Sequence, residues 1–198
     1  MVSNKKDAIK IKITRNRVFA AILLLISLAF LFRYFPELLK WYEATKPLKK
    51  IIYYNLPLEF RADLKLAKNI KVYPSESIIR DIFWNNSLRR ITIAVLNSTN
   101  ETHYIGVEAY EIAFKLGLFY TLKGYFVEIK GQEVNNVSEL KGNITHPIIY
   151  ILPPVLSNNE TIVKVENFTV LIAGKDLRDL DLATIKFLMI VLGIDFSK

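Results

Sequence analysis

The sequence contains no cysteine, which excludes disulfide bonds, thiolate metal sites, thiol catalysis and lipid attachment through cysteine. It has two histidines, His103 and His146, and neither has a second histidine at a spacing that would bind a metal ion. Glycine loops for nucleotides, the nucleophile elbow of hydrolases and the histidine pair of zinc proteases are also absent. These absences predict a protein with no catalytic, cofactor or metal site.

Glutamine is also scarce, since Gln132 is its one occurrence, whereas isoleucine, lysine and glutamate are abundant. Thermophilic proteins are depleted in labile side chains and enriched in charged ones. AT-rich coding bias gives a similar composition. We therefore expect an archaeal thermophile as the source, with coding bias as the alternative explanation.

The net charge of +8 lies in the N-terminal third of the chain. Residues 72–198 carry twelve lysines and arginines against fourteen aspartates and glutamates. Binding to nucleic acid needs basic residues clustered on the folded surface. The distribution therefore predicts no nucleic-acid partner.

Residues Val18–Phe32 form a run of fifteen uncharged residues. Extended through Arg33 to residue 35, the run reaches the lower length limit of a membrane-spanning helix, about 17 residues. Six basic residues precede it and keep the N-terminus cytoplasmic by the positive-inside rule: Lys5, Lys6, Lys10, Lys12, Arg15 and Arg17. We predict a single-pass protein of the cell membrane, with a cytoplasmic basic tail (1–17) and a transmembrane signal anchor (18–35).

A cleaved secretion signal is the alternative interpretation of this run. Cleavage needs small residues at the end of the apolar core, where this chain has Phe30, Leu31 and Phe32. The uncleaved anchor therefore fits better. Behind it we predict a juxtamembrane stalk (36–57), which rests on lipid headgroups or packs on the outer domain, and an extracytoplasmic α/β domain (58–198).

Seven Asn-x-Ser/Thr triplets, the acceptor sequence for N-linked glycans, support this topology. The chain has 14 asparagines, and its composition alone predicts about one such triplet. The triplet asparagines all follow the apolar run, on the side predicted to be outside: Asn85, Asn97, Asn100, Asn136, Asn143, Asn159 and Asn167. We predict a glycoprotein, with Asn97 ending a buried strand and Asn100 as the better acceptor of that pair.

The outer part of the chain alternates strand and helix patterns. We predict strands over 58–66, 69–74, 89–97, 125–131 and 147–154, and one or two strands over 161–174 with a turn near Glu166 and Asn167. A helix is expected over 104–124, ending at Gly124, and a last apolar helix over 177–192, either buried or left as an interface. The fold class predicted is α/β: a two-layer sandwich of a small mixed sheet and covering helices, preceded by one transmembrane helix.

Few polar residues qualify as site candidates. Asp176, Asp179 and Asp181 would suit a hard cation, but at the start of a helix the capping role is favoured. Glu108 and Glu111 are interpreted as a solvated face of the 104–124 helix, and the histidines as ordinary loop residues. These assignments leave the 97–103 loop and the acidic residues around Asp176 as the only candidates for a ligand site.

Residues 89–176 resemble the LytR C-terminal domain family, a small α/β module of cell-envelope proteins. The resemblance lies in Val95-Leu96-Asn97-Ser98-Thr99 at a strand end, Ala109 and Ala113 in the helix, Gly124-Tyr125-Phe126-Val127, the apolar strand before Pro153, and Phe168 to Asp176. Ser98 stands where the family usually has glycine. The resemblance implies no catalytic residues, and the phosphotransferase domain that often accompanies the module is too large to fit in this chain.

Two functional hypotheses follow. The first is a membrane-anchored, N-glycosylated protein whose non-catalytic α/β domain binds another envelope or membrane protein. The second is a domain that binds a small ligand or processes glycans, with Asn97, Thr99, His103 and the acidic residues around Asp176 at its site. A concave pocket holding His103 beside a carboxylate would favour the second.

Overall fold

The computed structural model of the protein describes residues 33–35, 49–96 and 101–194. Residues 33–35 are helical. No helix within these ranges is both long and apolar enough to cross a bilayer. The predicted anchor run Val18–Phe32, the asparagines Asn97 and Asn100 and the candidate site residue Thr99 lie outside the described residues. Residues 47–198 form one compact unit.

In the described part of this unit we find eight strands, four α-helices and one short 3-10 helix (Pro154–Leu156). The strands are β1 (Lys49–Tyr53), β2 (Leu56–Phe60), β3 (Lys71–Tyr73), β4 (Arg90–Leu96), β5 (Glu128–Val134), β6 (Ile148–Leu152), β7 (Ile162–Glu166) and β8 (Thr169–Ala173). The helices are α1 (Leu64–Ala67), α2 (Glu76–Phe83), α3 (Thr102–Lys123) and α4 (Leu177–Leu192).

Six of the strands form one sheet in the order β3-β7-β8-β6-β4-β5. Strands β8, β6, β4 and β5 are parallel to one another, and β7 is antiparallel to β8. The β7–β8 hairpin turns at Asn167 and Phe168, which both have positive φ as a type I′ turn requires. The prediction of an α/β fold with a mixed sheet is confirmed.

The central strands are apolar on both faces, as expected for parallel strands covered on both sides. In β4 the side chains of Ile91 and Ile93 join the larger core, together with the helices. The alternate residues Ala94 and Leu96 join a smaller core on the other face, where Tyr150 is also fully buried. Part of the segment between β5 and β6 covers that second face, because Val137 and Leu140 pack on it.

Strands β1 and β2 form a separate antiparallel hairpin that packs against the helices. Leu58 and Phe60 are buried, and the Tyr53 hydroxyl donates a 2.9 Å hydrogen bond to the carbonyl of Leu192 at the end of α4. The compact unit therefore begins before residue 58. It includes residues 49–57, which we predicted to be part of the stalk (36–57). A hairpin that buries aromatic and leucine side chains is part of the domain core.

Helix α4 matches its predicted bounds and is buried along its length rather than left as an interface. Its N-cap is Asp176, whose carboxylate accepts a 2.8 Å hydrogen bond from the Asp179 backbone N–H. The turn from β8 into α4 needs a glycine, because a Cβ on Gly174 would lie 2.1 Å from the Leu180 backbone nitrogen. This close approach joins the last sheet strand to the buried helix.

Two predicted strands are displaced. The strand predicted over 125–131 begins at Glu128, because residues 125–127 connect the left-handed Gly124 that ends α3 to the sheet. The strand predicted over 58–66 ends at Phe60 and is followed by helix α1. In α1 the Asp63 side chain caps the helix by accepting a hydrogen bond from the Lys65 N–H at 2.7 Å.

Candidate functional site

The middle of helix α3 buries three charged side chains and exposes two aromatic ones. Glu108, Glu111 and Lys115 are 1%, 7% and 5% exposed. Tyr110 and Phe114 are 69% and 56% exposed. The interpretation of Glu108 and Glu111 as a solvated face is therefore wrong, because Arg61, after the hairpin, and α4 cover that side of the helix.

The first buried contact joins Arg61, Tyr104, Glu108 and Asp181. The Arg61 guanidinium lies 2.7 Å from Glu108 Oε1 and 3.8 Å from Asp181 Oδ1. It also stacks over the Tyr104 ring at 4.8 Å, and the Tyr104 hydroxyl donates a 3.0 Å hydrogen bond to Asp181 Oδ2. We call these four residues the charge cluster. It ties the chain after β2 to the first turns of α3 and α4.

A second buried ion pair lies further along α3. The Lys115 ammonium donates a 2.6 Å hydrogen bond to Glu111 and lies 4.7 Å from the centre of the Phe60 ring in β2. Residues 104, 108, 111 and 115 thus form one polar row on the helix, at spacings of four and three. The row can be seen in the sequence. The residues that cover it, Phe60 in the β1–β2 hairpin and Arg61 directly after it, cannot be identified from the sequence.

The charge cluster holds one more carboxylate than Arg61 alone neutralises. Burial raises the pKa of Glu108 well above its usual value, and the hydrogen bond and charge of Asp181 raise it further, against the lowering effect of Arg61. Asp181 Oδ1 has no hydrogen-bond donor within the described ranges, and Glu108 would supply one when it is protonated. Burial and the Asp181 charge also raise the pKa of Tyr104, which keeps its hydroxyl a donor.

The outward side of α3 is an uncharged stripe. Its members recur at spacings of three and four and are half-buried or exposed: His103, Val107, Tyr110, Phe114, Gly117 and Thr121. The Tyr110 and Phe114 rings stack with their centroids 6.2 Å apart and their planes at 18°. We call these six residues the α3 stripe. None of the six side chains is acidic or carries the charge of lysine or arginine.

His103 lies at the start of the α3 stripe, in an open depression of about 530 Å³. Thr102, Gly106, Val107 and Tyr110 line the rest of this depression, and no carboxylate among the described residues does. Glu101, which lies in the 97–103 loop itself, does not line the depression, and Asp181 accepts a hydrogen bond from the Tyr104 hydroxyl. The described geometry therefore gives His103 no acid–base partner.

The other predicted candidates have structural contacts. Asp179 accepts a 2.7 Å hydrogen bond from the Thr161 hydroxyl and lies 3.3 Å from the Lys175 ammonium. His146 Nδ1 lies 2.8 Å from the Thr145 hydroxyl. Within the ranges that the structure describes, no group of three His, Asp or Glu side chains is arranged to hold a metal ion.

The described asparagines of the predicted acceptor triplets all lie in the connections before or after strands. Asn85, Asn143 and Asn167 precede β4, β6 and β8, so they share the edge of the sheet where these parallel strands begin. Asn136 follows β5 and Asn159 precedes the antiparallel β7, which places both at the opposite edge. None of these five lies on α3.

Three of these asparagines also hold their own turns. The Asn143 carboxamide oxygen accepts hydrogen bonds from the Thr145 N–H at 3.0 Å, the Thr145 hydroxyl at 2.8 Å and the His146 N–H at 3.0 Å. Asn85 and Asn136 accept in the same way from the N–H two residues ahead. In each case the carboxamide oxygen makes the turn, and the nitrogen, which would carry a glycan, is left for modification.

Comparison with known proteins gives little further information. No family model matches the chain, and no solved structure matches it. A curated dihydrofolate reductase of Buchnera aphidicola subsp. Schizaphis graminum (strain Sg) is 32% identical to it over 98 residues. That match covers 48% of this chain and 58% of the reductase, so it does not place the chain in the reductase family.

Proposed function

We propose that this protein is a membrane-anchored, N-glycosylated extracytoplasmic protein whose α/β domain is a non-catalytic interaction domain, acting in the cell envelope or as an accessory subunit of a membrane complex. The observation that carries this proposal is the α3 stripe. This helix buries three charged residues and, besides its buried apolar side, exposes a second apolar side with two stacked aromatic rings.

Exposure of this kind favours a partner on energetic grounds. Full burial of one large apolar side chain stabilises a complex by about 1.5–3 kcal/mol. Tyr110 and Phe114 are still more than half exposed, so most of that contribution is available for binding. Contiguous apolar surface on a single element typically marks a protein or membrane contact, whereas scattered exposed apolar residues do not.

The membrane anchor and the glycans support the outside location. The apolar run of 18–35 follows six basic residues, and the acceptor triplets all follow that run. The five described asparagines of the predicted acceptor triplets lie before or after sheet strands, and none of them is on α3.

Membership of the LytR C-terminal domain family is part of the same proposal. Its closing motif, Phe168 to Asp176, contains Gly174, where the backbone of Leu180 leaves no room for a side chain. The resembled module belongs to cell-envelope proteins, which agrees with an anchored, outward-facing domain. A second set of residues outside residues 89–176, the β1–β2 hairpin and α4, completes the core here.

Topology is tested on the full chain, expressed in a host that glycosylates secreted Asn-x-Ser/Thr triplets. We expect the chain to stay in the membrane pellet after carbonate extraction and to carry glycans on Asn143 and Asn159. The matched control replaces Thr145 and Thr161 with alanine, which removes both acceptors. Loss of the chain from the membrane pellet, or unmodified asparagines throughout, would refute the outside-facing anchored topology.

The interaction role is tested by crosslinking in intact membranes of the native source. We expect an adduct that is lost when Tyr110 and Phe114 are both replaced by serine. Phe126→Ser is the control, because Phe126 is 94% exposed and lies outside α3. An adduct that survives the double replacement would show that another surface of the domain binds the partner.

A further inference from the structure

We infer that the partner of the α3 stripe is the α3 stripe of a second copy of this chain, packed antiparallel about a two-fold axis near Ile112. This inference rests on the proposed interaction role and names its partner. A two-fold contact is self-complementary, so each stripe residue must face a compatible residue of the same stripe.

The spacing of the stripe satisfies that condition. In an antiparallel pair whose two-fold axis lies at the level of position 112, each residue faces the one equally far from 112 on the second copy. His103 then faces Thr121, Val107 faces Gly117, and Tyr110 faces Phe114. An aromatic side chain thus meets an aromatic side chain on each side of the axis, and the polar, uncharged residues meet at the two ends. Antiparallel helices with apolar residues at alternating spacings of three and four pack in this way.

The two glycines of α3 fit the same arrangement. Glycine inside a helix costs about 1 kcal/mol relative to alanine. A Cβ on Gly106 would meet nothing within 4 Å, so the chain's own packing does not require a glycine there. In the antiparallel pair Gly106 faces Leu118 of the second copy, and Gly117 faces Val107. Each glycine then provides space for an apolar side chain.

The lack of charge separates a second copy from a lipid surface. A helix that rests on a bilayer carries lysine or arginine along the edges of its apolar face. The α3 stripe has none, and the exposed cation of α3, Lys123, lies beyond its end and stacks on Tyr54 and Trp84 at 5.7 and 5.2 Å. An uncharged surface matches another uncharged surface and leaves no charge unpaired.

The contact is small, and that sets the conditions of the test. From 103 to 121 the stripe is about 27 Å long, at 1.5 Å per residue. One helix face of this length buries less surface than a stable soluble dimer needs. Anchoring both copies in one membrane raises their effective concentration, so the dimer is expected in membranes rather than in dilute detergent.

The absence of cysteine from the sequence permits a direct test by disulfide crosslinking. Two differently tagged full-length copies, one His103→Cys and one Thr121→Cys, are co-expressed and their membranes are oxidised. The antiparallel pair predicts disulfides between the two different copies, at least fivefold above those between identical copies. A parallel pair predicts the reverse, because positions 103 and 121 of one helix are about 27 Å apart.

Lys130→Cys is the matched control, since Lys130 is equally exposed but lies on β5, off the stripe. Gly106→Cys with Leu118→Cys is the second pair, and it is expected to crosslink between different copies in the same way. Phe114→Glu added to either pair is expected to abolish the product. Glutamate would bring two negative charges to the centre of the pair.

Carbonate extraction and glycan analysis of the same membranes distinguish failure of this inference from failure of the proposed function. Anchored, glycosylated chains that form no disulfide above the Lys130→Cys level would overturn the second copy as partner and leave the anchored interaction domain standing. Disulfides between identical copies alone would overturn the antiparallel arrangement. Chains absent from the membrane pellet would refute the proposed function itself.

Discussion

Replacing Arg61 with methionine is expected to lower the free energy of unfolding by about 3–5 kcal/mol at pH 7.5. Methionine has a similar length, so the change removes the guanidinium and keeps much of the packing. The lost contacts are the 2.7 Å ion pair with Glu108, the longer contact with Asp181 and the stacking over Tyr104. Both carboxylates are nearly inaccessible to water, so solvent cannot replace the lost charge.

The pH dependence of this cost provides the sharper test. The pKa of Glu108 is raised by folding, so the folded chain binds its proton more tightly than the unfolded chain does. Below pH about 4.3, the pKa of glutamate in the unfolded chain, the whole stabilisation from this proton is present. It is lost as the pH rises toward the pKa of Glu108 in the folded chain, by about 1.4 kcal/mol for each pH unit between the two pKa values. We expect Arg61→Met to cost less at pH 5 than at pH 7.5, because protonation of Glu108 relieves the uncompensated charge.

Glu108→Gln is the matched variant, because its amide imitates the protonated carboxyl group. It is expected to change stability at pH 5 by less than about 1 kcal/mol and to remove the decline between pH 5 and pH 7.5. In the double variant the cost of Arg61→Met is expected to fall by about 1–3 kcal/mol, which is the coupling of residues in one buried network.

The assay is denaturant unfolding of the full chain in detergent, followed by tryptophan fluorescence. Trp84 donates a 2.7 Å hydrogen bond to the Val191 carbonyl and therefore reports on the contact of α2 with α4. Replacing Trp41 with phenylalanine leaves Trp84 as the single tryptophan. A cost below about 1 kcal/mol for Arg61→Met, or a cost that rises toward acidic pH, would refute the charge cluster as described.

Three further predictions concern stability. Gly174→Ala is expected to cost at least about 2 kcal/mol by thermal unfolding, because its Cβ would lie 2.1 Å from the Leu180 nitrogen; Gly131→Ala, which meets nothing within 4 Å, is the control and should be close to neutral. Asp176→Ala is expected to lower stability by about 1 kcal/mol through loss of the α4 cap, and an unchanged midpoint would contradict that role. Asn143→Gln is expected to cost about 1–2 kcal/mol even in a host without glycosylation, because three hydrogen bonds to its carboxamide are lost; equal stability of variant and parent there would show that the turn does not depend on it.

Local patterns predicted most of the α/β elements. The β-branched run of β4 and the apolar run of β6 identify central strands because burial on both faces demands apolar residues at every position. Gly124 and Asp176 identify helix ends because each satisfies a local backbone requirement. Strand β5 was placed three residues too early, since an edge strand has one neighbour and its polar sequence carries a weaker signal.

The candidate site could not be predicted in the same way. In α3 the apolar residues Ile105, Ile112 and Leu116 lie in the core. The stripe with Tyr110 and Phe114 is apolar as well, and nothing in the local sequence states which apolar side meets the sheet. The polar row with Glu108 looks solvated until the chain after β2 brings Arg61 over it.

The sequence by itself determined the composition-dependent expectations and the local geometry: which segments are strands or helices, where helices begin and end, and where acceptor triplets occur. Secondary structure, helix ends and acceptor triplets depend on the residue types at neighbouring positions, and these can be read without knowing the tertiary contacts. The tertiary structure decided which side of α3 faces water, because that depends on Arg61 and Asp181, which are 47 and 73 residues away from Glu108 along the chain. Only long-range packing makes a charged row internal and an aromatic row external, and the proposed interaction surface follows from that inversion.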